Sequence, residues 1–319
     1  MAQQLVGIAK LAAQAPALLE KRAVVYRQLA SYNLLNRCSS ERMPFEWTIN
    51  PYRGCEFACQ YCYARYTHEF LELRDPHEFE TRIFAKQWNP ADFRVALRKV
   101  GPRERVAIGT ATDPYQPAER RYLLTRSILE VLAEFSGRSF ALTTKGNLVC
   151  RDVDLLARIA KRNQLVVSLT ITTVDPDLAR KLEPRAPRPD LRLEAVRTLR
   201  AAGVPVGVAC SPLLPLINDA QEQLDALAAA ASDAGARWMG ANVLFLTEGP
   251  RQVFFEFLER EFPELLGKYR ERFGRSVYLR GSYVESVRKR ARAARERYGL
   301  GEWAVLPPAE DAQMGFVWE

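Results

Sequence analysis

The sequence predicts an α/β fold built on a parallel β-sheet. Short apolar runs of strand character recur about every thirty residues, and a helical pattern follows each of them. Small and polar residues gather just after several of these runs, where parallel sheets carry their chemistry. Right-handed crossovers then leave two architectures, an open doubly wound sheet or a closed or partly closed barrel.

The elements follow in order along the chain. Residues 1–30 are rich in Ala and Leu and predict a helix. Apolar runs predict six strands, at 45–51, 105–112, 139–144, 165–172, 204–210 and 238–246. Helical patterns predict helices between them, at 90–99, 117–135, 153–162, 191–202 and 219–234. After Thr247 the pattern is helical and aromatic, and it then becomes basic.

The composition narrows the class of protein. The 319 residues are 48% hydrophobic and 26% charged, which suffices for a packed core and a solvated surface. No run of eighteen apolar residues occurs, and the first residues make a poor signal peptide, so we expect no membrane association and a cytoplasmic location. Six cysteines are too few to build a disulfide scaffold in a chain of this length.

Three of the cysteines are crowded together just after the first predicted strand. Cys55, Cys59 and Cys62 lie within the segment CEFACQYC. Thiolates are soft ligands that suit zinc or iron–sulfur clusters, and three of them on a 4Fe-4S cluster leave one iron without a protein ligand. The alternative is a Cys3His zinc site completed by His68, in a zinc-stabilised nucleic-acid-binding protein without catalysis.

The cysteine spacing, with aromatic Tyr61 before the third cysteine, resembles the signature of the radical S-adenosylmethionine (SAM) superfamily. The neighbouring segments INPYRGCEFACQYCYARYTHEF, FETRIFAK and GTATDPYQPAE are similar to its spore photolyase-related branch, from Trp47 to the C-terminus but not over 1–40. The resemblance implies a partial parallel (β/α)6 TIM-like barrel of the radical SAM type at 45–249. An N-terminal helical extension at 1–44 and a basic, helical C-terminal extension at 250–319 complete the expected domains.

The resemblance also implies an activity. SAM chelates the open iron of a 4Fe-4S cluster held by the three cysteines, and an electron from a flavodoxin- or ferredoxin-type donor cleaves it. The resulting 5′-deoxyadenosyl radical abstracts hydrogen from a substrate that the sequence does not identify. A damaged or modified base in nucleic acid is the leading expectation, and a peptide or small metabolite is its rival.

Further site residues are carried over by position. Tyr61 is expected to pack against adenine, and the strand end containing Gly109, Thr110 and Thr112 to receive the methionine amino group. Lys145 is a candidate for the SAM carboxylate, because a compact cation suits an anion. The alternative is a solvated loop lysine.

Ser168 and Thr170 point to one face of the fourth strand and are candidates for the ribose hydroxyls. The alternative is that they fill the barrel interior. In the branch, a further cysteine after the second strand returns a hydrogen to product, but ATDPYQPAER contains none. Cys150 and Cys210 are therefore weighed as donors against the alternative of buried apolar residues.

Two carboxylates and a basic helix complete the candidates. Asp113 and Glu119 form either a substrate pair or a loop in which Glu119 begins a helix. The segment 268–297 holds eleven Lys or Arg against three Glu, a surplus that equals the net charge of +8. Within it, 283–298 predicts a helix with one apolar stripe, which fits either phosphate contact with nucleic acid or docking on the barrel.

Overall fold

A seven-stranded sheet forms the centre of the molecule. The computed structural model describes residues 5–21, 24–31, 33–40, 43–274 and 276–302. The strands of the sheet are β3 Leu35–Arg37, β4 Trp47–Ile49, β7 Arg105–Ile108, β8 Ser139–Thr144, β9 Gln164–Thr170, β10 Val206–Leu213 and β11 Met239–Val243. Their order is β11-β10-β9-β8-β7-β4-β3, and all run parallel except β3, which is antiparallel at one edge. The six predicted strands are confirmed, and β3 is an addition.

Helices alternate with these strands and cover the sheet. They are α3 Pro90–Arg98, α4 Glu119–Tyr122, α5 Leu124–Leu132, α6 Val153–Arg162, α7 Pro176–Leu182, α8 Pro189–Ala201 and α9 Gln221–Asp233, with a 3-10 helix at Asn147–Asp152. The predicted helix over 117–135 is divided at Leu123, which has a φ of 53°. The main core lies between the sheet and these helices and includes Ile108, Leu142 and Val167.

The N-terminal segment does not form the single helix predicted over residues 1–30. Helix α1 spans only Gly7–Gln14, and strands β1 Ala17–Lys21 and β2 Val24–Ala30 follow it. Strand β2 pairs in parallel with β6, Arg82–Gln87, which the sequence did not predict. Strand β2, VVYRQLA, begins with residues that favour a strand, but the Ala- and Leu-rich composition of residues 1–30 as a whole obscured this preference.

A second, four-stranded sheet therefore lies beside the first. Its strand β5, Tyr52–Arg53, follows β4 almost directly and pairs antiparallel with β6. The order of this sheet is β1-β2-β6-β5. Helix α2, Glu78–Thr81, leads into β6. The segment that enters the cysteine-containing loop is thus fixed between the two sheets.

The C-terminal part is helical, as predicted, over α10 Glu248–Glu261, α11 Pro263–Phe273 and α12 Ser282–Arg297. Helix α12 buries Val284, Val287, Ala291 and Ala294 of the predicted stripe, whereas Tyr298, its last member, is half-buried and follows the end of the helix. The end of the expected extension, 303–319, lies outside the described residues. Within the described part of the chain, every helix is too short or too polar to cross a membrane.

Candidate functional site

The three clustered cysteines lie in a loop between β5 and a 3-10 helix, Tyr63–Leu71. Cys55 and Cys59 are buried, Cys62 is half-buried, and all three thiols are free. They share one apolar core with Phe57 and Tyr61 from the same loop. We call residues 54–62 the cysteine loop.

One side of this loop is held by the segment that follows β7. The Thr112 hydroxyl donates to the Gly54 carbonyl at 2.6 Å, and the Gln116 amide donates to the same oxygen at 3.0 Å. The Glu56 N–H in turn donates to the Gln116 side-chain oxygen at 3.0 Å. The backbone on both sides of Cys55 is therefore fixed by one glutamine.

Other elements fix the rest of the loop. Gly54 has a φ of 81°, and a Cβ there would lie 2.8 Å from two backbone oxygens, so the position requires glycine. The buried Arg65 donates to the Cys59 carbonyl at 3.0 Å. The Gln60 N–H donates to the carbonyl of Leu182, at the end of α7, at 2.9 Å.

A buried ionic network lies against the loop. The Tyr61 hydroxyl donates to Glu183, whose carboxylate lies 2.5 Å from the guanidinium of Arg192. Arg192 also donates to the carbonyl of Thr170 at 3.0 Å, and Thr172 donates to Glu183 at 3.2 Å. Burial opposes the charge on Glu183, but Arg192 and Lys145 hold its pKa below the usual range.

Lys145 lies at the end of β8, with its Nζ 5.5 Å from the centre of the Tyr61 ring. Burial opposes its charge, but Cys59 in its thiolate form and the carboxylates of Glu183 and Asp113 raise its pKa overall. Asp113 accepts from the Lys145 N–H at 2.7 Å and from Thr144 at 2.5 Å. The lysine is thus a positioned cation beside the cysteine loop, and the alternative of a solvated loop lysine does not describe it.

Burial raises the pKa of all three thiols, that of Cys59 to about 12. Lys145 lowers the pKa of Cys59 and Cys62 in part, so a cation already faces the position where thiolates would develop. Three soft donors from one buried loop, with a neighbouring cation, fit an iron–sulfur cluster of net negative charge. Ligand binding would supply the thiolate form that burial alone disfavours.

Ser168 and Thr170 are buried on one face of β9. Ser168 is in register with Thr143 of β8, two residues before Lys145, so these side chains share the face from which Lys145 projects. Gly109 has a φ of 86°, and a Cβ there would lie 2.5 Å from the Thr143 carbonyl. The structure brings the predicted SAM-binding positions to one end of the sheet; their roles remain predictions.

Two of these positions also have structural contacts. The Thr110 hydroxyl accepts from Asn50 at 3.1 Å, and its carbonyl accepts from the Tyr63 hydroxyl. Thr112 holds the Gly54 carbonyl. The sequence did not single out four residues of the site, namely Asn50, Gln116, Glu183 and Arg192, although the first two lie within the quoted segments INPYRG and TDPYQPAE.

His68, the fourth ligand of the zinc alternative, is fully buried. Its Nε2 lies 3.0 Å from the Arg82 carbonyl, and its ring packs edge-on against Phe79 and Phe84. Across the described ranges, no three His, Cys, Asp or Glu side chains, the loop cysteines included, are grouped closely enough to bind a single metal ion, whereas each cysteine of a 4Fe-4S cluster would bind a different iron. The contacts of His68 are those of a core residue.

Burial lowers the pKa of His68 to about 4, below its unfolded value near 6.5. Its stabilising contribution is therefore complete above about pH 6.5 and is lost as the pH falls toward 4. We expect the wild-type protein to lose about 3 kcal/mol of unfolding free energy over this interval relative to His68→Gln. Urea denaturation at several pH values measures the difference. His77→Gln, at a half-exposed position beside Glu256, provides the comparison, and a His68→Gln curve parallel to wild type would contradict the prediction.

The other candidates have structural roles. Cys210 is fully buried and shares the core with Val206 and Val208, which favours the apolar alternative over hydrogen donation. Glu119 begins α4 and accepts from the Thr125 N–H at 2.9 Å and from Arg151 at 2.8 Å. Because its carboxylate oxygens already accept these hydrogen bonds, the structure does not support a role for Asp113 and Glu119 as a pair that contacts substrate.

Comparisons with known proteins agree with this geometry. The family model described as the Radical SAM superfamily matches residues 49–228. An uncharacterized protein of Mycobacterium tuberculosis is 37% identical over 294 residues, which cover 91% of this chain and 86% of that protein. An uncharacterized protein of Methanocaldococcus jannaschii is 28% identical, over 55% of this chain and 63% of that protein. The mycobacterial alignment covers more residues than lie between Trp47 and the last residue of the sequence. The similarity to that protein therefore extends into the N-terminal part, where the resemblance read from the sequence did not reach.

Solved structures share the fold. A spore photoproduct lyase complexed with dinucleoside spore photoproduct aligns with a TM-score of 0.64 at 17% identity, over 86% of this chain and 80% of that one. A mutant of the lyase with bound SAM and the same dinucleoside aligns with a TM-score of 0.65 at 15% identity and the same coverage. The partial barrel expected from the resemblance is thus confirmed as the fold type. With its three-cysteine loop at the end of the first parallel strand and a family match over more than half of its length, the chain belongs to the radical SAM superfamily and is a radical SAM enzyme.

Proposed function

We propose that the protein binds a 4Fe-4S cluster through Cys55, Cys59 and Cys62 and uses SAM to abstract hydrogen from a substrate. Bound together, cluster and SAM supply a 5′-deoxyadenosyl radical. The observation that carries the proposal is the buried loop with three free thiols facing the Lys145 cation. A fourth protein ligand would not be needed, because SAM would bind to the remaining iron.

The residues of the chain have positioning roles in this proposal. Lys145 attracts the SAM carboxylate, and Ser168 and Thr170 bond the ribose hydroxyls. The backbone at 109–112 receives the amino group, and Tyr61 forms the adenine side of the site. The surrounding apolar core excludes water, which protects a radical from quenching.

The direct test is anaerobic. Protein purified without oxygen should be brown, contain about four irons per chain, and form 5′-deoxyadenosine from SAM when dithionite is added. Colourless protein with one zinc and no SAM cleavage would contradict the proposal and favour the nucleic-acid-binding alternative. Substrate-dependent deuterium transfer into 5′-deoxyadenosine then identifies the abstracted hydrogen.

Gln116 offers a prediction about the loop itself. We expect Gln116→Leu to weaken cluster retention about 10- to 100-fold, because the bonds that fix the backbone around Cys55 are removed while side-chain volume is conserved. Iron released to a chelator over time measures retention. Gln252→Leu, on the exposed side of α10, is the matched control. Equal iron release from both variants would show that the loop does not depend on Gln116.

Nucleic acid is the substrate class that we propose. The spore photoproduct lyase of the same fold is complexed with a dinucleoside, and α12 presents exposed Arg288, Lys289 and Arg292. Not every cation of this helix is available. Arg290 donates to the Asp219 carbonyl at 2.9 Å, and Arg297 pairs with Asp225. The helix is therefore both docked and basic, and only its outer side can meet phosphate.

The triple variant Arg288→Gln, Lys289→Gln, Arg292→Gln tests this surface. We expect weaker retention on DNA or RNA and a salt slope reduced by about one for each phosphate that is no longer neutralised. The control is a triple Gln variant on α6, replacing Arg158, Lys161 and Arg162. If both variants are retained equally at every salt concentration, α12 does not contact phosphate.

A further inference from the structure

A cavity of about 620 Å³ lies directly against the cysteine loop. One of its walls is Phe57, which stands between Cys55 and Cys59 in the chain and shares their buried core. The Phe57 carbonyl accepts from the N–H of Arg185, which also lines the cavity. The cavity therefore adjoins the loop that carries the thiols.

The charge of this cavity is one-sided. Arg120, Arg121 and Arg185 line it and are exposed, and none of its described lining residues is Asp or Glu. The described residues place no carboxylate in an ion pair with these three guanidinium groups, and the nearby acidic side chain, Glu56, is buried behind Tyr26 and Tyr122. Arg121 lies 5.8 Å from the centre of the Tyr122 ring, so one cation is held beside an aromatic wall. We call this feature the arginine pocket.

The proposed function requires a delivered electron. Reductive cleavage of SAM takes up one electron, and the first such electron must reach the buried loop from a partner outside the chain. Electron tunnelling weakens steeply with distance, so the partner must dock close to the cysteines. Arginine-rich surfaces without acidic neighbours favour partners with an acidic face.

We propose that the arginine pocket is the docking site of an acidic one-electron carrier protein of the flavodoxin or ferredoxin type. The inference rests on the proposed function. In the transfer, the reduced carrier is oxidised by one electron and the cluster held by the loop is reduced by one, with no group exchanged. The other basic surface, α12, packs against α9 and β11 and does not line this pocket.

Binding provides the first test. The triple variant Arg120→Gln, Arg121→Gln, Arg185→Gln and the α6 triple control are titrated with purified oxidised flavodoxin and ferredoxin at low and high salt. We expect the pocket variant to bind its carrier about tenfold more weakly than wild type at low salt, with the difference shrinking at high salt. The control should bind as wild type does. Equal binding by the two variants, or no binding of either carrier by wild type, would overturn the inference.

The source of electrons provides the second test. With reduced carrier at limiting concentration, the pocket variant should form 5′-deoxyadenosine about tenfold more slowly than wild type. With dithionite, a small reductant that needs no docking, the two proteins should differ by less than about twofold. Equal carrier-driven rates would overturn the inference. Failure of wild-type protein with dithionite would instead contradict the proposed function, so the two ideas fail separately.

A small anionic ligand is the competing occupant of the pocket. A mononucleotide serves as the anionic probe. If the pocket variant loses mononucleotide binding but keeps its carrier binding and carrier-driven rate, the docking proposal is overturned and the pocket is assigned to the small ligand. Loss of carrier binding with no mononucleotide affinity in wild type supports docking.

Discussion

Cys59→Ser is expected to lower 5′-deoxyadenosine formation by more than about 100-fold and to leave the purified protein with little iron. The physical reason is that a serine hydroxyl is a harder and far weaker ligand than a thiolate, and the loop supplies no spare cysteine. Anaerobic iron analysis and product formation under dithionite measure both effects.

Cys38→Ser is the matched control for that variant. Cys38 is a free thiol that precedes the sheet core and lies outside the core shared by the three loop cysteines. The control protein should keep its iron and its rate. A Cys59→Ser protein that retains both would mean that the loop does not hold the cluster.

Arg192→Met is expected to destabilise the folded protein by about 3 to 5 kcal/mol. Glu183 would then keep a buried carboxylate without its ion-pair partner, and the carbonyl of Thr170 would lose the hydrogen bond from Arg192. Urea denaturation in the absence of oxygen measures the decrease in unfolding free energy.

Arg188→Met provides a sharp comparison, because this arginine lies four residues earlier and also pairs with a carboxylate. The side chains of Arg188 and Asp190 are 61% and 58% exposed, whereas those of Arg192 and Glu183 are 1% and 0% exposed. We expect the exposed pair to contribute less than about 1 kcal/mol. Equal destabilisation of the two variants would show that burial is not the source of the effect.

The parallel sheet was predictable because each of its strands is a short, nearly continuous apolar run. Such runs occur when both faces of a strand are covered, as in β9, where six of seven residues are buried. The second sheet was not predictable in this way. Strand β6 has the sequence RIFAKQ. Its Lys86 is buried, although lysine side chains usually lie at the surface. Strand β2, VVYRQLA, does begin with strand-forming residues, but they are few and follow a longer Ala- and Leu-rich stretch.

The same distinction applies to the site: residues close together in the sequence were predictable, and residues far apart were not. The three cysteines were found because they lie within eight residues, so the sequence alone shows that they are close together. Tyr61 and Glu183 are 122 residues apart, and no periodicity or spacing connects them. Glu183 and Arg192 look like surface residues in the sequence, and only the fold reveals that they balance each other in the interior.

The order in which the chain is made has a consequence for how the enzyme matures. The cysteine loop forms hydrogen bonds with Gln116 on one side and with the carbonyl of Leu182 on the other. Arg192 completes the buried ionic network beside the loop. All three leave the ribosome after the cysteines, the last of them more than a hundred residues later. A nascent chain therefore exposes its thiols before it has a place to hold metal. Insertion of iron and sulfide belongs after synthesis, and factors that deliver them should recognise the assembled barrel rather than the short cysteine motif.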